Sequence, residues 1–283
     1  MQNESDKSVS IIGCGWLGLP LAKYLLAGRC TTVKGSTTSP DKLEILRKAG
    51  IEAYVVSLGP EPQGDGWLEL LEVDSLIVDI PPRSSRQGEE FHPQQIGFLV
   101  ELIKKSPVQQ IIYVSSTSVY PELNRVVEEK DVFERSQSAA PQLVEAEMTL
   151  MSLREMGKNV TVLRCGGLMG YDRIPGKYVR GKKGITTGNT PVNYIHRDDA
   201  VASIGALLRT GVPNETFNCV APEHPTRRAV YEASCRQFGW EEPTFAEPEQ
   251  EEFYKVVSSE KLATSLGYTF IYKDPLSFYY QPD

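Results

Sequence analysis

The sequence predicts an α/β protein with a doubly wound parallel sheet, helices on both faces of that sheet and a smaller C-terminal lobe. Three observations support this prediction. Short apolar runs alternate with helical segments through the first 165 residues, which is the pattern of successive β-α-β units. The first apolar run leads directly into a glycine-rich turn. After residue 165 the regular alternation stops, and glycine and basic residues become frequent.

The glycine-rich turn follows the first predicted strand, 9–12, and has glycines at 13, 15 and 18. Gly13 permits the tight turn, Gly15 lets the backbone approach a pyrophosphate, and Gly18 lets the next helix pack closely on its strand. The unpaired N–H groups and positive dipole end of that helix suit phosphate groups. A glycine turn without a ligand is the weaker alternative. The predicted cofactor contacts of this Rossmann-type loop are Gly13, Gly15, Trp16, Leu17 and Gly18.

The next elements are indicated by helical spacing and by the residues that end each run. Leucines at 17, 21 and 25 recur at helical spacing and predict a helix over 16–27. A second strand, 31–34, precedes a helix over 41–49, which Gly50 caps because glycine adopts the left-handed conformation readily. A third short strand covers 53–56.

Stronger signals mark the second half of the alternating region. Pro81 and Pro82 end the apolar strand 73–80, since proline cannot donate to a strand ladder. A helix over 91–105 places Ile96, Leu99 and Ile103 on one face. The remaining elements are strand 111–114, which leads into the serine-rich run 115–118, helix 143–156 and strand 160–163.

The C-terminal part contains fewer and less regular elements. A helix over 198–208, a strand over 216–220 and a helix over 228–238 follow the glycine-rich and basic stretch 166–191. The sequence therefore predicts two parts. Residues 1–165 form an NAD(P)-binding Rossmann domain, and residues 166–283 form a smaller, substrate-facing lobe whose helix at 198–208 packs back on that domain.

Composition excludes several classes of partner. A net charge of −7 over 283 residues gives no basic footprint for nucleic acid and argues against an anionic membrane partner. No apolar run approaches the ~20 residues that span a bilayer. We expect no secretory signal, because the segment 1–8 is polar and the apolar run after it ends at Gly13. The five scattered cysteines fit neither a disulfide framework nor a zinc site. We expect a cytoplasmic protein that binds no metal and takes a small-molecule substrate. A homodimer is one assembly that it could form.

Four segments, in a fixed order, carry a family resemblance: the glycine loop, the run 114–120, the strand end 162–170 and the segment 193–200. Together they resemble extended short-chain dehydrogenase/reductases, the NAD-dependent epimerase/dehydratase group that acts largely on nucleotide sugars. The nearest pattern is the atypical YeeZ-like subgroup, which keeps an Asn-x-Ile-His-x-x-Asp segment. The resemblance spans residue 9 to about residue 275. It implies a Rossmann fold, an NAD(P) cofactor and a carbohydrate-like substrate.

This chain departs from the family at the acid–base pair. Extended members carry Tyr-x-x-x-Lys at the start of the helix after the serine-rich run. Alignment on Glu147, which matches a Glu common in the family, puts Leu143 at the Lys position and Ala139 at the Tyr position. Neither side chain can transfer a proton. Helical spacing would put both on one face, so we expect them beside the nicotinamide ribose, with any acid or base supplied from elsewhere.

Three polar side chains are the candidate catalytic residues: Ser116, Tyr120 and His196. Ser116 aligns with the family's substrate-binding Ser/Thr and could donate to a substrate oxygen. Equally, the serine-rich run could satisfy backbone groups at the strand end. Asp198 or Asp199 could orient His196 for acid–base work, but N-capping of the following helix explains these aspartates without catalysis and is favoured.

The end of the second strand bears on the choice of cofactor. An acidic residue there would bind the ribose 2′-OH and select NAD, whereas this chain has three hydroxyl residues and then Lys42. These groups suit a 2′-phosphate better, so NADP is slightly favoured over NAD. Arg164, at the end of the sixth strand, could pair with a phosphate or with a buried carboxylate. The further predicted cofactor contacts are Ser36, Thr37, Thr38, Lys42, Pro81, Pro82 and Ser115.

Three functions are compatible with these residues. The first is an NAD(P)-dependent oxidoreductase or epimerase/dehydratase-like enzyme acting on a carbohydrate-like substrate. The second is a catalytically inactive NAD(P)-binding sensor or partner-binding protein, which the missing Tyr and Lys favour. The third is a β-hydroxyacid dehydrogenase, whose opening the run 15–22 also resembles. That third family would need a long all-helical C-terminal domain.

Overall fold

Seven parallel strands form one central sheet in the computed structural model, which describes residues 7–28, 30–82 and 87–281. Part of the polar N-terminal segment discussed above, residues 1–6, lies outside the described residues. The strands run in the spatial order β7-β6-β5-β4-β1-β2-β3. Their bounds are β1 Lys7–Ile12, β2 Cys30–Thr37, β3 Glu52–Val55, β4 Ser75–Val78, β5 Gln110–Ser116, β6 Asn159–Cys165 and β7 Thr216–Cys219. The strand order reverses between β1 and β4, which is where ligands bind in such sheets. The predicted doubly wound parallel sheet is confirmed.

Helices cover both faces of the sheet, because consecutive strand residues point to opposite faces. Ile11 packs with Leu21 and Ile204 on one face, whereas Ile12 packs with Leu99 and Val144 on the other. No helix in the described ranges is long and apolar enough to cross a membrane. The helices are α1 Gly18–Ala27, α2 Leu43–Lys48, α3 Trp67–Leu71, α4 Phe91–Lys104, α5 Pro141–Met151, α6 Pro175–Val179, α7 Arg197–Arg209, α8 Arg227–Gln237 and α9 Glu260–Leu266.

Most predicted elements are present, with shifted ends. The helix predicted over 16–27 begins at Gly18, because the preceding residues form the glycine turn. The helix predicted over 143–156 ends at Met151 and continues as a 3₁₀ turn. Gly50 has a φ of +83° after α2, as the predicted cap requires. Helices α3, α6 and α9 were not predicted, because they have five, five and seven residues and are too short to show a helical period.

The central sheet contains strands from both sides of the predicted domain boundary at residue 165. β7 lies well beyond that boundary, yet it pairs in parallel with β6, with Thr216 opposite Val162. Helix α7 packs against α1, where Gly205 lies against the ring of Tyr24. The sequence between β6 and α7 is irregular, and this conceals the return of the chain to the sheet. The C-terminal lobe is therefore only the part built around a small cluster of Ile174, Ala221, Phe278 and Tyr280.

Within the described ranges, three short strand pairs lie outside the central sheet. Two are parallel, joining Gly167–Met169 to Tyr194–His196 and Arg125–Val127 to Lys255–Val257. The third is an antiparallel hairpin of Ser57–Leu58 with Pro62–Gln63. The first pair continues the chain from β6 into α7 and so positions the turn that covers the glycine loop.

Candidate functional site

A cleft of about 610 Å³ opens where the strand order reverses, at the carboxyl ends of β1, β2 and β4. Nine of the twelve predicted cofactor residues line it: Gly13, Gly15, Trp16, Leu17, Ser36, Thr37, Thr38, Lys42 and Pro81. Gly18 is buried behind the loop, and neither Pro82 nor Ser115 is among the residues that line the cleft. The glycine loop and the end of β2 thus line the same cavity.

The three glycines of the loop differ in what surrounds them. A Cβ on Gly13, whose φ is +108°, would lie 2.1 Å from the carbonyl oxygen of Asp79, and one on Gly18 would lie 2.2 Å from the carbonyl oxygen of Gly13. Real Cβ atoms never approach so closely, so both positions require glycine for the fold itself. A Cβ on Gly15 would meet no atom within 4 Å. The space at Gly15 therefore remains open toward a ligand.

Hydroxyl groups at the end of β2 hold the glycine loop in place. The buried Ser36 hydroxyl accepts the Gly13 N–H at 3.0 Å, and the Ser36 carbonyl accepts the Cys14 N–H at 2.8 Å. The Thr37 hydroxyl accepts the Ser39 N–H at 3.1 Å. Ser36 and Thr37 are thus engaged within the protein, while Thr38 and Lys42 are exposed at the rim of the cleft.

Two charged residues in the cleft were missed by the sequence analysis. Asp79 follows β4, where burial raises the pKa of its carboxyl to about 7, while the charge of Arg173 and a hydrogen bond from the Gly18 N–H act to lower it. Arg173 comes from the basic stretch after β6, and its guanidinium lies 4.1 Å from the centroid of the Trp16 ring. The signal for Asp79 was a charged residue at the end of an otherwise apolar strand. Arg173 is one of several basic residues in its stretch, and nothing in the sequence distinguishes it from the others.

Trp16 joins the glycine loop to the C-terminal lobe. Its indole Nε1 donates to the Asp172 carboxylate at 2.6 Å, and Arg197 stacks on both Trp16 and Tyr171. Backbone hydrogen bonds of 3.0 and 3.1 Å between Gly170 and Arg173 close the turn. The turn 170–173 is therefore fixed over the glycine loop, with Arg173 on the cleft side.

Tyr120, predicted as a catalytic candidate, lies in a buried polar network instead. Its hydroxyl donates to Asn218 Oδ1 at 2.8 Å and accepts from Arg164 Nη1 at 2.9 Å. Burial raises the pKa of this tyrosine to about 12. The prediction for Tyr120 is wrong, because a fully buried hydroxyl with both its partners inside the protein cannot reach a substrate.

Arg164 is paired with a buried carboxylate, which settles the two alternatives left open by the sequence. Arg164 Nη2 lies 2.7 Å from Glu147 Oε2, and both side chains are almost completely buried. The Ser115 hydroxyl donates to Glu147 Oε1 at 2.5 Å. Ser115 therefore belongs to this ion pair and does not face the cleft, contrary to prediction, because alternate residues of β5 point to opposite faces.

His196, another of the three catalytic candidates, is a buried structural residue. Its Nδ1 accepts the Asp198 N–H at 3.2 Å and so caps α7, which leaves the ring proton on Nε2 to donate to the Tyr279 carbonyl at 3.1 Å. Burial lowers the pKa of His196. The catalytic prediction is wrong here too, since both ring nitrogens are engaged. The capping prediction for Asp198 and Asp199 is also wrong: His196 is the cap, and Asp199 accepts from Ile271, Tyr272 and Tyr268.

Ser116 and the positions of the missing acid–base pair lie outside the residues that line the cleft. The half-exposed Ser116 hydroxyl accepts the Ser118 N–H at 3.1 Å, as the capping alternative predicts. Ala139 is exposed, whereas Leu143 is buried in the core. The expectation that both share a helix face is wrong, because α5 begins only at Pro141 and Ala139 precedes it.

The sheet order, the glycine loop and the cleft at the strand reversal define a Rossmann-fold protein. Protein YeeZ of Escherichia coli K12 is 34% identical over 272 residues, which is 95% of this chain and 98% of that protein. The chain belongs to the YeeZ family. No protein-family model matches it.

Two solved structures show the same fold at lower identity. The dTDP-glucose 4,6-dehydratase DesIV of Streptomyces venezuelae, a double mutant solved with NAD bound, has a TM-score of 0.76 and 17% identity over 93% of this chain and 92% of that chain. The UDP-glucuronic acid 4-epimerase of Bacillus cereus, solved with UDP-glucuronic acid and NAD, has a TM-score of 0.75 and 16% identity over 96% and 97% of the two chains. At these identities the likeness establishes the fold.

Proposed function

We propose that this chain binds a nicotinamide dinucleotide in the cleft, NADP(H) in preference to NAD(H). The observation that carries the proposal is the open space at Gly15, in a loop whose other two glycines are required by the fold. The loop and the N-terminus of α1 would receive the pyrophosphate. The exposed pair Thr38 and Lys42 would face the adenosine 2′-phosphate.

We further propose that the bound dinucleotide serves an oxidoreductase or epimerase/dehydratase-like reaction on a carbohydrate-like substrate. The bound nicotinamide would supply or accept a hydride. Support for the substrate class comes from the two structural relatives, whose names specify nucleotide sugars. Of the three catalytic candidates only Ser116 keeps a half-exposed hydroxyl, and in this proposal it donates a hydrogen bond to a substrate oxygen.

A dinucleotide-binding sensor without catalysis is the second candidate function. It is favoured by the finding that Tyr120 and His196 have all their polar atoms engaged within the protein. Replacement of Ser116 by Ala distinguishes the two, because it should lower turnover of an enzyme without changing dinucleotide affinity and leave a sensor intact. A β-hydroxyacid dehydrogenase is disfavoured, since the C-terminal part contributes β7 to the sheet and is not all-helical.

The experiment that tests dinucleotide binding compares the wild type with Gly15→Val by thermal shift in NADPH, NADP, NADH and NAD. A ligand at 100 times its dissociation constant should stabilise the wild type by about 2.7 kcal/mol. Gly15→Val should fold normally, because a Cβ atom there would meet no atom within 4 Å, and should lose this stabilisation.

The matched control is Gly97→Val, since Gly97 lies in α4 and also has open space around its Cα. This variant should respond to dinucleotides as the wild type does. Equal stabilisation of Gly15→Val and the wild type, or no stabilisation of the wild type by any of the four dinucleotides, would overturn the proposal.

A further inference from the structure

Arg173 is positioned as an anion-binding residue in the cleft. Its guanidinium stacks on Trp16 at 4.1 Å and makes no side-chain hydrogen bond or ion pair with the residues that the structure describes. Stacking fixes the plane of a guanidinium and leaves its N–H edges available for a bidentate contact with phosphate. The turn that carries Arg173 is itself held by Trp16 and Asp172. An ordered, unpaired cation therefore faces the glycine loop.

Asp79 provides a negative charge in the same cleft. Its carboxylate accepts the Gly18 N–H at the start of α1, and its backbone lies against Gly13. Asp79 and Arg173 interact through their charges without forming an ion pair within 4.0 Å. A carboxylate beside a glycine loop repels an incoming pyrophosphate unless the carboxylate takes up a proton, because like charges interact strongly in a partly dehydrated site.

We propose that Arg173 binds the pyrophosphate of the dinucleotide and that Asp79 takes up one proton from solvent as this anion enters. The inference rests on the proposed function and adds the group that recognises the phosphates and a dependence of affinity on pH. No bond other than that to the proton is made or broken. The protonated carboxyl removes one negative charge from the site and becomes a hydrogen-bond donor.

Asp79 is the group that titrates near neutral pH at this place. Three charged or titratable side chains act on it or are acted on by it: Arg173, the Cys14 thiol of the glycine loop and the Cys165 thiol at the end of β6. Burial raises the pKa of Cys14 to about 12, and a hydrogen bond with Cys219 together with burial raises that of Cys165. Both thiols thus stay neutral near pH 7.

The first test is calorimetric titration of the wild type and Asp79→Asn with NAD, from about pH 6 to about pH 8.5, in two buffers of different ionisation enthalpy. NAD is the chosen probe because it lacks the 2′-phosphate, whose pKa of about 6 would add its own pH dependence. The wild-type dissociation constant should be constant below about pH 7 and should rise by up to tenfold per pH unit above it. Binding above that pH should take up close to one proton. Asp79→Asn should show neither effect.

The second test replaces Arg173. Arg173→Gln should weaken NAD and NADPH binding by about tenfold, the change expected for one charge-assisted hydrogen bond. Because Arg173 lowers the pKa of Asp79, this variant should also shift the pH dependence to higher pH, which a loss of structure would not do. Arg180→Gln is the matched control, since Arg180 stacks on Trp240 outside the cleft, and its binding should equal that of the wild type.

The outcomes separate this inference from the proposed function. Absence of dinucleotide binding by the wild type at every pH overturns both. Wild-type binding that is independent of pH and takes up no proton overturns the role of Asp79 alone. Equal affinities of Arg173→Gln and Arg180→Gln overturn the role of Arg173 alone.

Discussion

Thr37 and Thr38 are neighbours at the end of β2, and both line the cleft, but only Thr38 is exposed. Thr37 is buried and accepts the Ser39 N–H, whereas Thr38 is exposed next to Lys42 in the cleft lining. Thr38 is thus the position at which a single side chain should change the preference between the two dinucleotides.

We predict that Thr38→Asp shifts this preference toward NAD. A carboxylate at Thr38 would repel the 2′-phosphate of NADP and could accept a hydrogen bond from the 2′-OH of NAD. The ratio of the NADP to the NAD dissociation constant should rise by about tenfold, equivalent to about 1.4 kcal/mol. Calorimetric titration with both ligands measures it. Thr31→Asp, at the far end of the same strand, should leave the ratio unchanged, and a wild type that prefers NAD strongly would contradict the prediction.

Residues whose surroundings are local in sequence were predictable, and residues with distant partners were not. The glycine loop needs only its own strand and helix, so the spacing of Gly13, Gly15 and Gly18 was sufficient to place it. Tyr120 bonds to a residue 98 positions away and His196 to one 83 positions away. A sequence shows that such side chains are polar, but it does not show whether a distant segment satisfies them.

At the level of elements, the ion pair between α5 and β6 stabilises the packing of helix on sheet. Glu147 and Arg164 are 1% and 3% exposed, and the Ser115 hydroxyl and the Tyr120 hydroxyl complete their hydrogen bonds. A buried charge that loses its partner is strongly destabilising, because it remains dehydrated without compensation.

We predict that Glu147→Gln lowers the free energy of unfolding by about 3–5 kcal/mol. Urea denaturation followed by circular dichroism measures this loss. The matched control is Glu145→Gln on the same helix, where Glu145 pairs with the exposed Arg135 and the change should be about 1 kcal/mol or less. Equal losses for the two variants would show that burial of the Glu147–Arg164 pair does not govern its contribution.

The elements themselves were predicted from periodicity wherever they were long or strongly apolar. Helix α4 matches its prediction to within one residue because four apolar residues, Ile96, Leu99, Val100 and Ile103, mark one face over fourteen positions. Five-residue helices such as α3 provide too few positions for a period to show. Helix α5 begins two residues before its predicted start at 143, with Pro141, a residue favoured in the first helical turn, as its first residue.

Across the whole molecule, the C-terminal segment connects α7 to the turn that carries Arg173. The buried Asp199 carboxylate accepts the Ile271 and Tyr272 N–H groups at 2.7 and 2.9 Å. Further along, the Tyr279 carbonyl and the Gln281 N–H bond to the backbone of Tyr171 at 3.0 Å each. The segment 271–281 is thus bonded to α7 at Asp199 and to the turn at Tyr171.

We predict that Asp199→Ala destabilises the protein by about 3 kcal/mol, because it leaves two backbone donors without an acceptor. Hydrogen exchange should become faster over residues 268–281. Dinucleotide affinity should also fall, although Asp199 does not line the cleft, since the turn at Tyr171 would lose support. Asp199→Asn, which retains one acceptor oxygen, should show smaller effects on all three measurements. Unchanged exchange over 268–281 in Asp199→Ala would disprove the role assigned to this carboxylate.

The tryptophans have a practical consequence for work with this protein. Two of the three, Trp16 and Trp67, line the cleft, and Trp240 stacks under Arg180 away from it. Indole emits in the near-ultraviolet region where a reduced nicotinamide absorbs, so excitation energy should pass from these two side chains to a reduced dinucleotide bound in the cleft. The unlabelled protein therefore carries its own optical reporter. A loss of tryptophan emission, with new emission at longer wavelength, would reveal reduced dinucleotide in the cleft. Stopped-flow mixing would follow both signals as binding occurs.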